Sequence, residues 1–171
     1  MRRGTGRIVF FCGGFVVKFC RIQSLLNILK DGWRAIYKRE NRKLFPSAIH
    51  IKWKLFLRGI RQNRTEHNCW KLTHAPFLVP IHFGLSIANV QKREWGEEPT
   101  EDEVDAMIRA VAEKTKRQIY CIDPHCLEPK NFLKTGKGLR IVDYGDASDG
   151  SLTFPQFIIR WQSELASVLC R

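Results

Sequence analysis

The chain has 171 residues, of which 44% are hydrophobic, so it can build a packed core and is not a disordered segment. No apolar run reaches the ~18 residues that a membrane-spanning helix needs. The formal net charge of +12 is concentrated in the first third, where residues 1–64 hold sixteen Lys and Arg against Asp31 and Glu40 alone.

Arg2 and Arg3 precede an apolar stretch that glycines and Lys18 interrupt and no small-residue cleavage site ends. It reads as strands rather than a signal peptide. Arg7 to Phe11 and Phe15 to Phe19 flank Gly13-Gly14, the pattern of an antiparallel hairpin. Alternation puts Val16, Lys18 and Cys20 on one face and Phe15, Val17 and Phe19 on the other. An ammonium in such a strand either keeps its head in water at a sheet edge or meets a buried carboxylate. The six cysteines are scattered without a CxxC pair, which fits buried thiols in a reducing cytoplasm better than a disulfide framework.

Ser24 to Lys43 has helical periodicity, with Leu25, Ile28, Leu29, Trp33, Ile36 and Tyr37 at threes and fours. Pro46 is expected to end it. Ile49, Ile51, Trp53 and Leu55 then alternate with His50, Lys52 and Lys54, the pattern of a short strand or extended segment. Trp33, Tyr37 and Trp53 interleave with cations. Residues 21–64 could therefore engage a polyanion, either RNA or an anionic membrane surface, or could simply be a solvated basic face. Asn63 to Leu72 reads as a helix carrying Glu66. His74-Ala75-Pro76 breaks the chain, and strands are expected at Phe77 to Phe83 and Leu85 to Val90.

Pro99-Thr100-Glu101-Asp102-Glu103 opens the clearest helix. Thr100 is the N-cap, Glu103 closes a capping box, and Val104, Met107, Ile108 and Val111 form the buried stripe. Lys134 to Gly138 supplies a turn between Leu127 to Leu133 and Leu139 to Gly145. That hairpin would bring Asn131 and Asp143 to one end of two paired strands. An amide oxygen beside a carboxylate is hard-oxygen chemistry suited to magnesium on phosphates. Cys121, His125 and Cys126 offer thiols and an imidazole, but at no standard zinc spacing. A polar loop, Asp146 to Ser151, precedes a last helix with Phe157, Ile158, Trp161, Leu165 and Leu169 as its stripe.

Leu-x-Pro-x-Asn-Phe-Leu at 127–133, followed by Ile-Val-Asp-Tyr-Gly at 141–145, resembles the catalytic loop and metal-binding turn of the protein-kinase-like superfamily. The resemblance implies an α+β fold of two lobes, and covers about 100 residues. Residues 1–96 would form a small antiparallel-sheet N-lobe with a basic helical insertion at about 21–62, and 97–171 a minimal helical C-lobe. It implies ATP and Mg2+ as cofactors, with Asn131 and Asp143 as metal ligands. Val-Val-Lys at 16–18 resembles the strand lysine that reaches the phosphates. Glu66 would be its helix partner, with Glu40 the rival. Gln91 to Gly96 would be the hinge.

Two departures follow from the same resemblance. Only Gly4-Thr5-Gly6 is available as a phosphate loop. The usual base position, five residues before Asn131, is Cys126; the base is then either lost, as in a pseudokinase, or moved to Asp123 in an Asp-Pro-His sequence similar to that of aminoglycoside and other small-molecule kinases. The expected activity is phosphoryl transfer to a hydroxyl of a small molecule, lipid or sugar. The competing expectation is a non-catalytic nucleic-acid-binding or interaction module built on the basic third.

Overall fold

The computed structural model describes residues 2–3, 7–37, 45–145 and 153–170. Gly4-Thr5-Gly6, Glu40 and the loop expected at 146–151 lie outside the described residues. Among the described residues the architecture is mixed α+β, with a small antiparallel sheet and five α-helices.

Two short runs, β2 (Arg7–Cys12) and β3 (Phe15–Cys20), are joined by Gly13-Gly14. Gly13 has φ +54°, a left-handed conformation that a residue with a Cβ adopts only under strain. The two-residue turn sets the register: Cys12 faces Phe15, Val9 faces Lys18 and Arg7 faces Cys20. The two residues of β1 (Arg2–Arg3) pair with β2 on its outer side. β4 (Ile81–Leu85) and β5 (Ala88–Lys92) complete the sheet in the order β1-β2-β3-β5-β4, with every pairing antiparallel. β3 therefore has a neighbour on each side, which rules out the edge position for Lys18.

The expected strand at Phe77 to Phe83 begins four residues late. Pro80 lacks an N–H and cannot enter a ladder, so regular pairing starts after it. The second strand is displaced in the same direction, to Ala88–Lys92, so Gln91 and Lys92 belong to the sheet rather than to a linker. Lys92 N–H donates to the Pro80 carbonyl at 3.0 Å and secures this end.

α1 (Ile22–Tyr37) covers the described part of the helix expected at Ser24 to Lys43; residues 38–43 lie outside the described residues. The strand expected at Ile49 to Leu55 does not form. A single helix, α2 (Phe45–Thr73), runs through it and on through the helix expected from Asn63. Pro46 lies in the first turn of α2, where a missing N–H costs nothing, so it opens a helix instead of ending one.

α3 (Glu101–Lys114) has the full capping box: Glu103 N–H donates to Thr100 Oγ1 at 3.3 Å, and Thr100 N–H donates to Glu103 Oε2 at 3.0 Å. Three 3-10 turns, Gln118–Cys121, Pro124–Leu127 and Pro129–Asn131, lead into the hairpin of β6 (Phe132–Thr135) and β7 (Gly138–Ile141). Phe132 faces Ile141, so Asn131 and Val142 leave the hairpin at the same end. The expected last helix is two: α4 (Phe154–Arg160) and α5 (Gln162–Leu169), separated at Trp161, whose φ of −115° is not helical. Thr153 and Gln156 form a second capping box, absent from the sequence reading.

The main core runs from Cys69, Phe77 and Leu78 through Val104, Met107 and Val111 to Phe132, Ile141, Phe157 and Leu165. It joins residues from both sides of position 96. No disulfide links any of the cysteines, and burial pushes the Cys69 thiol up to about 12, which leaves it an inert core group.

Candidate functional site

The last four turns of α2 bury one stripe: Gly59, Asn63, Glu66, Cys69 and Thr73, spaced by threes and fours. That stripe places a carboxylate under the sheet. Glu66 is 0% exposed, and its charge has to be met in place. Lys18 on β3 meets it, with Nζ 2.6 Å from Oε1, and Arg7 on β2 approaches Oε2 at 2.9 Å. The Asn89 amide donates to Oε2 at 3.2 Å and the Gln91 amide to Oε1 at 3.4 Å. Four donors from three strands thus converge on one helix carboxylate.

Asp143 enters from the opposite side. It follows β7, and the backbone N–H of Val142 donates to the Asn131 carbonyl at 2.9 Å. Asp143 forms an ion pair with Arg7, and its Oδ1 lies 3.9 Å from Lys18 Nζ. Lys18 also donates to the Val142 carbonyl at 2.7 Å. The cluster therefore holds two cations, Arg7 and Lys18, each 4% exposed, between a sealed carboxylate and one that is 45% exposed. Asp143 is the member that faces outward.

The electrostatics follow from this packing. Burial opposes charge on Asp143, but Arg7 and then Lys18 outweigh it and hold the carboxyl below the usual range. Burial would likewise lower the Arg7 guanidinium, yet the charges of Asp143 and Glu66 keep it above its ordinary value. Tyr144, in the position after Asp143, is 1% exposed, and burial pushes its phenol up. Its hydroxyl donates to the Val79 carbonyl at 3.1 Å, which pins the turn to the core. Gly145 allows the closest approach: a Cβ there would sit 2.7 Å from the Gln62 carbonyl and 3.0 Å from Arg7 Nη1.

The structure brings Lys18, Glu66 and Asp143 into one cluster and attaches Asn131 to it through the backbone. The Asn131 side chain donates from Nδ2 to the His125 carbonyl at 2.8 Å. Asp123 and Cys126 are on the loop so tethered. Asp123 Oδ1 accepts the His125 N–H at 3.0 Å, an Asx turn. Cys126 is half-buried against the main core. His125 is raised by its hydrogen bond to Glu128 and then by the charge of Asp123. Among the described residues no group of three or more His, Cys, Asp or Glu could hold a metal, so Cys121, His125 and Cys126 do not form a zinc site.

Arg7 is the member that sequence reasoning missed. The signal was present in the turn. A two-residue connection at Gly13-Gly14 fixes Val9 opposite Lys18, and the pleat then returns Arg7 to the face that carries Lys18. Asn63, Asn89 and Gln91, which line the same cluster, carry no comparable local signal.

No protein-family model matches the chain, and no curated protein or solved structure matches it at a significant level.

Proposed function

We propose that this chain is a small, two-lobed, kinase-like protein that binds ATP at the cluster and transfers its γ-phosphoryl group to a hydroxyl of a small molecule, lipid or sugar. The observation that carries this reading is the position of Lys18 Nζ, 2.6 Å from the buried Glu66 and 3.9 Å from the outward-facing Asp143. A cation held between a structural carboxylate and a solvent-facing one is what phosphoryl-transfer sites use to position a polyphosphate. Glu66 fixes the lysine and Lys18 takes the α- and β-phosphates. Arg7 adds a second fixed cation, and its planar guanidinium suits bidentate contact with phosphate oxygens.

The donors suit magnesium, which keeps several waters and takes only one or two protein oxygens beside the phosphates. Asp143 would hold it together with Asn131. When bound, the metal supplies charge neutralisation on the phosphates. Arg7 already shares Asp143, so metal and guanidinium compete for one carboxylate. Asp123 is the hydroxyl-orienting base in this reading, with Cys126 in the usual base position.

The test is direct titration with Mg-ATP. Binding is expected, with a rise in melting temperature, and both are expected to be lost in Lys18→Met and Asp143→Asn. No binding by the folded wild type overturns the proposal. A second reading, nucleotide binding without transfer, is favoured by the use of Asp123 Oδ1 in its own loop. Intact binding with no phosphate transferred to water or any hydroxyl acceptor selects it.

A further inference from the structure

A second surface, independent of the nucleotide reading, lies on α1. Leu26, Leu29 and Trp33 are 52%, 64% and 59% exposed. Their spacing of three and four puts them on a single stripe of the helix. The opposite side is already committed, because Asp31 pairs with Lys52 of α2, and Asn27 and Ile28, next to Asp31 around the helix, are half-buried. The apolar stripe therefore lies on the side of α1 away from the Asp31–Lys52 contact with α2. Lys30 and Arg34, one turn apart and both exposed, run along its flank.

An outward apolar stripe bordered by cations is the arrangement of a helix lying in the plane of a bilayer. We infer that α1 docks on an anionic lipid surface, with Leu26, Leu29 and Trp33 entering the acyl boundary and Lys30 and Arg34 on the headgroups. Charge favours this occupant: apart from the sealed Arg7 and Lys18, residues 1–64 carry fourteen Lys and Arg against two carboxylates, the complement of an anionic leaflet. The aliphatic half of the stripe separates lipid from RNA. Base stacking needs aromatic faces, and Leu26 and Leu29 have none, whereas acyl chains accept both leucines. No helix among the described residues is long and apolar enough to cross a membrane, so docking is in-plane.

The experiment is co-sedimentation of the full chain with phosphatidylcholine vesicles, with and without phosphatidylserine. Binding is expected only with phosphatidylserine, weakened by salt and accompanied by a blue shift of tryptophan emission that Trp33→Phe diminishes. Leu29→Glu changes an exposed position and leaves the helical circular dichroism intact; it is expected to lower vesicle binding roughly tenfold or more. Lys30→Glu is expected to lower it less. Unchanged vesicle binding by Leu29→Glu overturns the inference. So does a wild-type chain that ignores vesicles but self-associates through this stripe, or that binds RNA with an affinity Leu29→Glu leaves unaltered.

Discussion

The two ends of α2 do different work with the same kind of contact. Near its start, Lys52 pairs with Asp31, and the two side chains are 29% and 31% exposed. Near its end, Glu66 pairs with Lys18 and Arg7 at 0% to 6% exposure. From Ile49 to Arg58 no residue of the helix is buried, whereas from Gly59 onward every third or fourth one is. A single helix is thus a solvated strut at one end and the floor of a charged cluster at the other. Burial, rather than the identity of the paired groups, decides what each ion pair is worth.

The largest effect is expected at the sealed end. Glu66→Ala leaves Arg7 and Lys18 facing each other without their shared carboxylate. Breaking a buried pair in this way costs about 3–5 kcal/mol. Urea denaturation should show it directly, and addition of Lys18→Met to that background should cost less than Lys18→Met alone. Additive losses from the two changes would mean that Lys18 and Glu66 are not energetically coupled.

Gly145→Ala comes next. Its Cβ would press on the Gln62 carbonyl, which belongs to the α2 backbone and cannot rotate away, and on Arg7 Nη1. Overpacking of this kind costs about 1–3 kcal/mol. It also displaces Arg7 from Asp143, so the ATP binding proposed above should change along with stability. A stable variant with unaltered ATP affinity would separate the glycine from the cluster.

Much of this arrangement was legible in the residues, and what escaped has physical causes. The β2–β3 hairpin was readable because Gly13-Gly14 permits only a tight reversal. α3 was readable because Thr100 and Glu103 satisfy each other's backbone locally. The start of α2 was misread because Ile49, Ile51, Trp53 and Leu55 satisfy a period of two while Ile49, Trp53, Phe56 and Ile60 equally satisfy a helical one. Nothing is buried there to make the choice visible. Lys18 and Asp143, which the structure brings together with Glu66, were singled out by short motifs, and Glu66 by its helix and the strand that follows it. Arg7 stands at the start of a strand, where a solvated cation is unremarkable, and only the cross-strand register reveals its direction.

Asp143 lies between the two extremes, buried on the side of Arg7 and 45% exposed on the other. Its carboxyl is held below its ordinary value, so it binds protons less readily in the folded state than in the unfolded one. Its contribution to stability is therefore full above the unfolded-state pKa of about 3.9 and is lost as pH falls through the lower folded value. Thermal melts across the acid range should show a decline that Asp143→Asn flattens. An identical acid limb in that variant would place the titration elsewhere.

The smallest effect should come from the open end. Asp31 and Lys52 are half-buried but still reach water, so their attraction is weaker than at the sealed end and each side chain gives up rotamer freedom to meet the other. Asp31→Asn is expected to cost about 0–1 kcal/mol, and salt should erase even that, because exposed charges are screened within about a Debye length. The Lys18–Glu66 coupling, shielded from ions, should persist at the same salt. Two double-mutant cycles on one helix, run at low and high ionic strength, therefore compare the same ammonium–carboxylate contact in two environments. Equal couplings at both ends would mean that water reaches Glu66, and the sealed cluster under the sheet would have to be abandoned.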